Sequence, residues 1–491
     1  MPLKTAMHKQ HWLLLPVLAL LLGLNACTPT RVDDRIKLAT VPNDWQHAPN
    51  SRNVSNPAQL KEWWKGFNDP LLDKLIAEAL VNNHDLKVAI ARVREAEAMS
   101  TVAESMLYPS IDLSILGGRE KKIDRVIGTP TGLFTPTADM VTGGLAARWE
   151  IDLFGARHLE AEAATAQAAG AEEALHAAQV ALLAQVATNY LELRGVQQRS
   201  SILRENIKLQ QEQLRALQAF NRAGLSTQLD LARQEALLHS TEAKLPTLTN
   251  NAANLTHRLA VLLGEPPENL SGRLVDTEPL PNKLPDIPRL LPSRLLEQRP
   301  DLRRAQTEVS AMAASLGAAR ADLYPRVVLS ASGGFGALAV GGFSNLSESV
   351  YTLGSGLTAP IFNAGRIEAQ ITAADARLAQ VAANYEKTFL IALEDVENSF
   401  VAHTTSREQR DKFIQAQTSA EQAYRLANVL YQHGAGGYLS VLDAQHSKLA
   451  VADERLKSET AVRVSLVSMY RAFGGGWPTK VLIDSSKTST P

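Results

Sequence analysis

Asp85, Tyr108, Pro109, Gly117 and Gly118 recur as Asp301, Tyr324, Pro325, Gly333 and Gly334, each displaced by 216 residues. The spans HDLKVAIARVREAEAMSTVAESMLYPSIDLSILGG and RPDLRRAQTEVSAMAASLGAARADLYPRVVLSASGG both carry a helix-like stretch into Tyr-Pro and then an alternating apolar segment. Further on, DLFGAR (152–157) answers PIFNAGR (360–366), and Gly224 with Leu229 answers Gly434 with Leu439 at a displacement of 210. A unit this long, present only twice, does not match the short periods of solenoids and propellers. It predicts a pseudo-twofold protomer, with a first repeat over 61–280 and a second over 281–475. Function is then to be sought in what the two copies build together.

Each repeat contains a rod. From Ala156 to Arg222 there are 67 residues without proline, dominated by Ala, Leu, Gln, Glu and Arg, all good helix formers. At about 1.5 Å per residue this is a helix of about 100 Å. Nine of thirteen heptad positions from 175 to 217 hold Leu, Val or Ile, a coiled-coil pattern. Ala223-Gly224-Leu225-Ser226 ends the rod: Gly224 suits a left-handed C-cap, and Ser226 or Thr227 suits the next N-cap. A return helix runs to about Leu263, with a kink expected at Pro246. The second repeat has a proline-free run from Arg366 to His433, a tip at Gly434 to Gly437, and a return from Tyr438 to Phe473. Two long antiparallel hairpins follow, 156–263 and 366–473.

Between the helices lie four alternating segments, at about 107–119, 139–153, 323–337 and 348–362. Val141, Leu145, Ala147, Trp149 and Ile151 share one face of the second, and Thr142, Arg148, Glu150 and Asp152 the other. In the fourth, Tyr351, Leu353, Leu357 and Ala359 oppose Thr352, Gly354, Gly356 and Thr358. One apolar and one polar face, in segments long enough to cross hydrocarbon at a tilt, is the transmembrane barrel pattern; a half-buried soluble sheet alternates in the same way. Four strands do not close a barrel, and unpaired edges are prohibitive in lipid. The chain must therefore associate.

The N-terminus supports a membrane destination. Lys4 and Lys9 precede an apolar run from Trp12 to Leu24, too short to span a bilayer comfortably. Residues 1–26 read as an export signal. Cys27, the only cysteine in the chain, follows directly, which matches the lipobox of bacterial lipoproteins and implies N-palmitoyl and S-diacylglycerol groups on Cys27. Thr28, in place of an inner-membrane retention aspartate, points to the outer membrane. Residues 27–60 read as a lipidated tether and 476–491 as a C-terminal tail. Net charge is −1 with 5% aromatic residues and no basic block, which argues against a nucleic-acid partner.

At this point the chain resembles the TolC-like outer-membrane efflux channels, in particular the lipidated branch of the OprM and NodT type. WWKGFNDPLLDKLIAEAL, ARWEIDLFGAR, LAVLLGEPP, LLPSRLLEQRPDLRRAQ, LYPRVVLSASGGFG, TAPIFNAGR and YLSVLDAQ carry the likeness. The resemblance implies a mainly α protein with a membrane β-barrel: a homotrimer whose twelve-stranded barrel, four strands per protomer, continues into a periplasmic α-helical barrel. It implies the outer-membrane duct of a tripartite efflux pump, docked to a periplasmic adaptor (membrane fusion) protein and an inner-membrane RND-type pump. Adaptor contact would fall on Ala223, Gly224, Leu225 and Ser226 and on Gly434, Ala435, Gly436 and Gly437. A periplasmic gate would use Asp230, Tyr431, Ser440 and Asp443; Ser440 and Gly436 stand where some relatives carry an aspartate and an arginine. The second hairpin is then expected to control opening.

An enzyme would need convergent nucleophile, base or metal ligands. The sequence has no HExxH, no cysteine cluster, no G-x-S-x-G and no Walker loop. Neither catalysis nor a cofactor is expected. A periplasmic adaptor is disfavoured by the two hairpins and four strands. Within channels, the alternative is the conduit of a type I protein secretion system.

Overall fold

The computed structural model describes residues 41–48, 60–121, 137–274, 278–288, 291–340 and 343–477. The leader, Cys27, most of the tether and the tail beyond Trp477 lie outside the described residues. In chain order come α1 (Pro70–Asn82), α2 (His84–Ser105), β1 (Ser110–Lys121), β2 (Thr137–Ile151), α3 (Ala156–Arg222), α4 (Gln228–Glu242) and α5 (Leu245–Leu262). Then follow α6 (Pro300–Ala321), β3 (Arg326–Val340), β4 (Phe343–Thr358), α7 (Arg366–Gln432) and α8 (Tyr438–Ala472).

Proline sets several boundaries. β1 and β3 begin after Pro109 and Pro325, three residues later than expected, because a turn at 106–108 and 322–324 first closes the preceding helix and proline donates nothing to a ladder. β4 stops at Thr358 rather than 362, ahead of Pro360. Pro246 was expected to kink one return helix. Instead, the helix breaks at Ala243 and Lys244, and Pro246 sits in the first turn of α5, where its missing N–H leaves no bond unmade.

The chain forms two compact units, described separately. In the first (103–163 and 311–382), the strands make one antiparallel sheet in the order β1-β2-β3-β4. Its register aligns Leu113, Leu145, Gly333 and Tyr351 in one row and Ile111, Ala147, Ala331 and Leu353 in the next. Those rows are apolar and open: Tyr351 is 90% exposed and Leu353 84%. The opposite face carries Ser110, Arg148, Ser330 and Gly354 in one row and Asp112, Ala146, Ser332 and Thr352 in another. The alternation seen in single strands is thus in phase across the whole sheet. Among the described residues, the outer edges of β1 and β4 have no partner strand.

A glycine cross lies at the centre of the sheet. A Cβ on Gly144 would stand 2.8 Å from the Gly333 carbonyl oxygen and 3.0 Å from Gly334 Cα, and one on Gly334 would strike the backbone of Gly143 and Gly144. The other face covers the gap, with the Phe335 ring 3.2 Å from where a Gly143 Cβ would be, the aromatic covering of strand glycines that pins register. Where the sheet meets the helices, Phe154 stacks on Tyr324 at 4.7 Å and Trp149 Nε1 donates to the Leu107 carbonyl at 2.9 Å.

In the second unit (39–102, 164–310 and 383–491), the main core is aromatic and aliphatic. Trp63 stacks on Tyr470 at 5.1 Å, and Trp45 meets Phe400 and Phe473 at 6.2 and 6.1 Å. The repeat is legible in its hydrogen bonds. Asn83 Nδ2 donates to the Leu262 carbonyl at 2.9 Å, and Arg299 Nη1 donates to the Ala472 carbonyl at 3.1 Å. Donor and acceptor correspond at displacements of 216 and 210, so each repeat uses the residue before its short helix to cap the end of its last helix.

His403, on α7, is buried beside α8. Ser465 Oγ donates to the Val462 carbonyl, so His403 Nδ1 donates to Ser465 Oγ at 2.9 Å. Burial, followed by the charge of Arg407, pushes His403 down to about 4. Between about pH 6.5 and 4 the unfolded chain therefore binds a proton that the folded chain refuses, and stability falls as pH drops through that window. The loss attributable to His403 reaches at most about 3 kcal/mol per chain. Thermal midpoints at pH 7.5 and 4.5 check it: His403→Gln is expected to lose less on acidification than the unmodified protein.

Candidate functional site

The two helical turns share one backbone design. Gly224 and Gly434 adopt φ of 71° and 72°, a left-handed conformation that other residues reach only with strain. Leu225 N donates to the Phe220 carbonyl at 2.8 Å and Gly224 N to Asn221 at 3.0 Å. In the second turn Ala435 N donates to Leu430 at 2.9 Å and Gly434 N to Tyr431 at 3.0 Å. This is the Schellman motif twice over.

Side chains then distinguish the turns. In the first, Asn221 Nδ2 donates to the Ser226 carbonyl at 3.0 Å and Ser226 Oγ to the Leu217 carbonyl at 3.3 Å. Thr227 and Asp230 form a reciprocal capping box: Asp230 N donates to Thr227 Oγ1 at 3.1 Å, and Asp230 Oδ2 accepts from Thr227 N at 3.4 Å and from Thr227 Oγ1 at 2.6 Å. The corresponding positions of the second turn are Tyr431, Gly436, Gly437 and Ser440. Gly437 caps α8 with no side-chain bond, and Ser440 N finds only the Gly437 carbonyl at 3.1 Å. Four side chains bond within the first turn; in the second, His433 Nδ1 donates to the Val429 carbonyl at 2.8 Å, and the α8 cap itself has no side-chain bond.

Both turns lie at one end of the helical unit. Gln213, eleven residues before Gly224, donates from Nε2 to the hydroxyl of Tyr424, ten residues before Gly434, at 3.2 Å. Tyr438 donates to Gln234 Oε1 at 2.8 Å, and Gln234 Nε2 donates to the Gln210 carbonyl at 3.1 Å. These bonds tie α8, α4 and α3 just behind the turns. Burial pushes the Tyr438 hydroxyl up to about 12, so it stays a donor at any physiological pH.

The four residues expected at a gate are placed differently from one another. Tyr431 lies against Tyr438, ring centres 5.2 Å apart. Asp230 has its carboxylate engaged in the capping box. Ser440 and Asp443 are exposed on α8. Among the expected docking residues, Leu225 is 75% exposed, and Ala223, Gly224, Gly434, Ala435 and Gly437 are exposed too, while Ser226 and Gly436 are half-buried. The Tyr438–Gln234–Gln210 relay was not expected from sequence. Its one signal there is Gln210, polar at a heptad position flanked by Ile207 and Leu214.

A sheet with one lipid-type face and two open edges, together with long helical hairpins ending in a pair of turns, defines a protomer of a tubular outer-membrane channel. The chain belongs to the outer membrane efflux protein family, whose model matches residues 75–265 and 291–475, one segment in each repeat. It is 32% identical over 462 residues to the pyoverdine export outer membrane protein OpmQ of Pseudomonas aeruginosa, covering 93% of this chain and 95% of that one. The structure of the outer-membrane channel OprN matches with a TM-score of 0.77 and 31% identity over 89% of this chain and 100% of that one. The outer membrane protein VceC of Vibrio cholerae matches with a TM-score of 0.75 and 26% identity over 84% and 98%. The fold is the TolC-like one, and the chain is an efflux channel component of the Gram-negative outer membrane.

Proposed function

We propose that three copies join β4 of one to β1 of the next, closing a twelve-stranded barrel that serves as the passive exit duct of a tripartite pump. The observation that carries this is the four-stranded sheet with unpaired outer edges and an exposed apolar face: in lipid those edges must be paired, and one chain supplies no further strand among its described residues. A periplasmic adaptor docks on the two turns and joins the duct to an inner-membrane RND-type pump, which selects a small-molecule cargo. The relative OpmQ, named for pyoverdine export, supports a small-molecule cargo. Cys27 carries N-palmitoyl and S-diacylglycerol chains that hold the N-terminus in the outer membrane. The duct performs no catalysis and uses no cofactor. Native mass spectrometry of detergent-extracted protein is expected to find three chains; a monomer contradicts the proposal. Cysteines at Ser226 and Ala435 are expected to crosslink to one adaptor in cells, and recovery of none removes the docking assignment.

Opening belongs to the second turn, because no side chain caps the start of α8, whereas Thr227 and Asp230 cap α4. Gly437 has φ −81° and ψ 151°, and a Cβ there meets nothing within 4 Å, so a threonine fits. Gly437→Thr with Ser440→Asp transplants the first turn's capping box, which stabilises the end of α8 by about 1 kcal/mol. Openings in planar bilayers are expected to drop severalfold, and an unchanged rate contradicts control by this turn. Asp443 is exposed, without an ion-pair partner among the described residues. Three such carboxylates around an axis attract cations. Asp443→Ala is expected to lower cation preference, read as a reversal-potential shift under a salt gradient.

A further inference from the structure

Behind the turns, the helical unit contains a layer of buried amides that neither docking nor the gate uses. Gln210, Gln213, Gln234, Gln417 and Gln445 all lie ten to seventeen residues from the nearer turn glycine. Gln210 and Gln234 are fully buried, and Gln445 is 4% exposed. Some amide groups are satisfied: Gln234 donates to the Gln210 carbonyl, Gln213 to Tyr424 and Gln417 to Glu421. Both side-chain polar atoms of Gln210, and Oε1 of Gln213, Gln417 and Gln445, are buried with no hydrogen-bond partner on the protein. Native interiors rarely leave such groups without a partner, and water is the usual one.

An apolar cluster borders the layer, and beyond it Gln198 and Gln179 are further amides with a buried Oε1 that lacks a protein partner. Away from the turns, Leu203, Leu248 and Leu449 pack together with Val196, Ile202, Ile207 and Leu245. There Arg199 grips Asp453 through Nε at 2.6 Å and Nη2 at 3.1 Å. Near the same border α4 gives way to α5 at Ala243 and Lys244. A polar stretch of core and a broken return helix thus coincide.

We propose that this amide layer holds ordered water and forms a joint about which the turn-bearing ends of the hairpins move when the channel opens. A close-packed apolar core resists sliding because every shift opens voids. Amides bonded through water exchange partners as helices shift, so a displacement leaves no group unpaired. The Tyr438–Gln234 bond makes α4 and α8 move as a pair, and the break at 243–244 takes up the motion on the α4 side. The joint rests on the reading of the turns as the duct's inner mouth.

Two measurements on the full channel test it. A high-resolution map of the unmodified trimer is expected to show ordered water within hydrogen-bonding distance of the Gln210 or Gln445 amide; a dry layer overturns the proposal whatever any variant does. In planar bilayers, Gln210→Leu with Gln445→Leu is expected to cut opening events by about tenfold, since close-packed leucines cannot exchange partners through water as the helices shift. Opening at the unmodified rate overturns the joint even if the layer is wet. Unmodified trimers that pass no current defeat the duct reading instead, and the map then decides whether the layer is wet.

Discussion

Gly144→Val and Gly334→Val each remove assembled channel from the outer membrane, with almost no oligomer expected in that fraction. The two glycines oppose each other in β2 and β3. A Cβ on Gly144 stands 2.8 Å from the Gly333 carbonyl oxygen, closer than real Cβ atoms approach, and the obstacle is backbone rather than a side chain that could turn away. Relief requires spreading the central strand pair or slipping it by one residue. A slip exchanges the faces, carrying Arg148 from the polar face to the lipid face at about 2–4 kcal/mol near the bilayer midplane. The controls lie in the same sheet: a Cβ on Gly117 or Gly356 meets nothing within 4 Å, so valine there is expected to be tolerated within the chain. Oligomer bands in outer-membrane fractions distinguish the pairs. Equal loss for all four would show that the close approach is not what limits assembly.

Arg299→Ala destabilises the helical unit by about 2 kcal/mol, the scale of losing charge-assisted hydrogen bonds, because the carboxylates left behind, Asp301 and Asp395, are 40% and 47% exposed and stay solvated. Arg299 is 8% exposed. It donates through Nε to Asp301 Oδ1 at 3.0 Å, through Nη2 to Asp301 Oδ2 at 2.6 Å, and through Nη1 and Nη2 to Asp395 Oδ2 at 3.0 Å. Nη1 also caps the Ala472 carbonyl, so one side chain secures the start of α6, the middle of α7 and the end of α8. Burial disfavours its charge, but the hydrogen bonds and charges of Asp301 and Asp395 outweigh this and raise its pKa further. Lysine offers a point charge rather than a planar fork, so Arg299→Lys is expected to recover less than half of the loss. Asn83→Ala, at the equivalent place in the first repeat, removes neutral bonds only and should cost about 1 kcal/mol. Denaturant midpoints order the three variants, and an Arg299→Ala cost no larger than that of Asn83→Ala would contradict the clamp.

Much of this architecture was legible in the residues. The 67-residue proline-free runs became α3 and α7 because nothing in them breaks a helix, and the turn glycines took the left-handed conformation that they alone hold without strain. Alternation in Val141 to Ile151 marked the lipid-type face because a strand has a period of two. What alternation does not contain is register, so the Gly144–Gly334 crossing was invisible until β2 was set against β3. The same holds at the turns. Asp230 and Asp443 look alike as carboxylates in the first turn or two of a return helix, yet Thr227 engages the first in a capping box while the second has Gly437 upstream and stays exposed. Tyr438, Gln234 and Gln210 sit on three helices more than two hundred residues apart at the extremes, and no local pattern brings them together.

Single-channel recording on the purified protein in planar bilayers decides whether the assembled chains form a duct. Stable, stepwise currents are expected from the trimeric fraction, and fewer openings once the second turn carries the transplanted capping box. A trimer that inserts yet passes no current, or a protein that leaves the membrane as a soluble monomer when its lipid is removed, would contradict the duct.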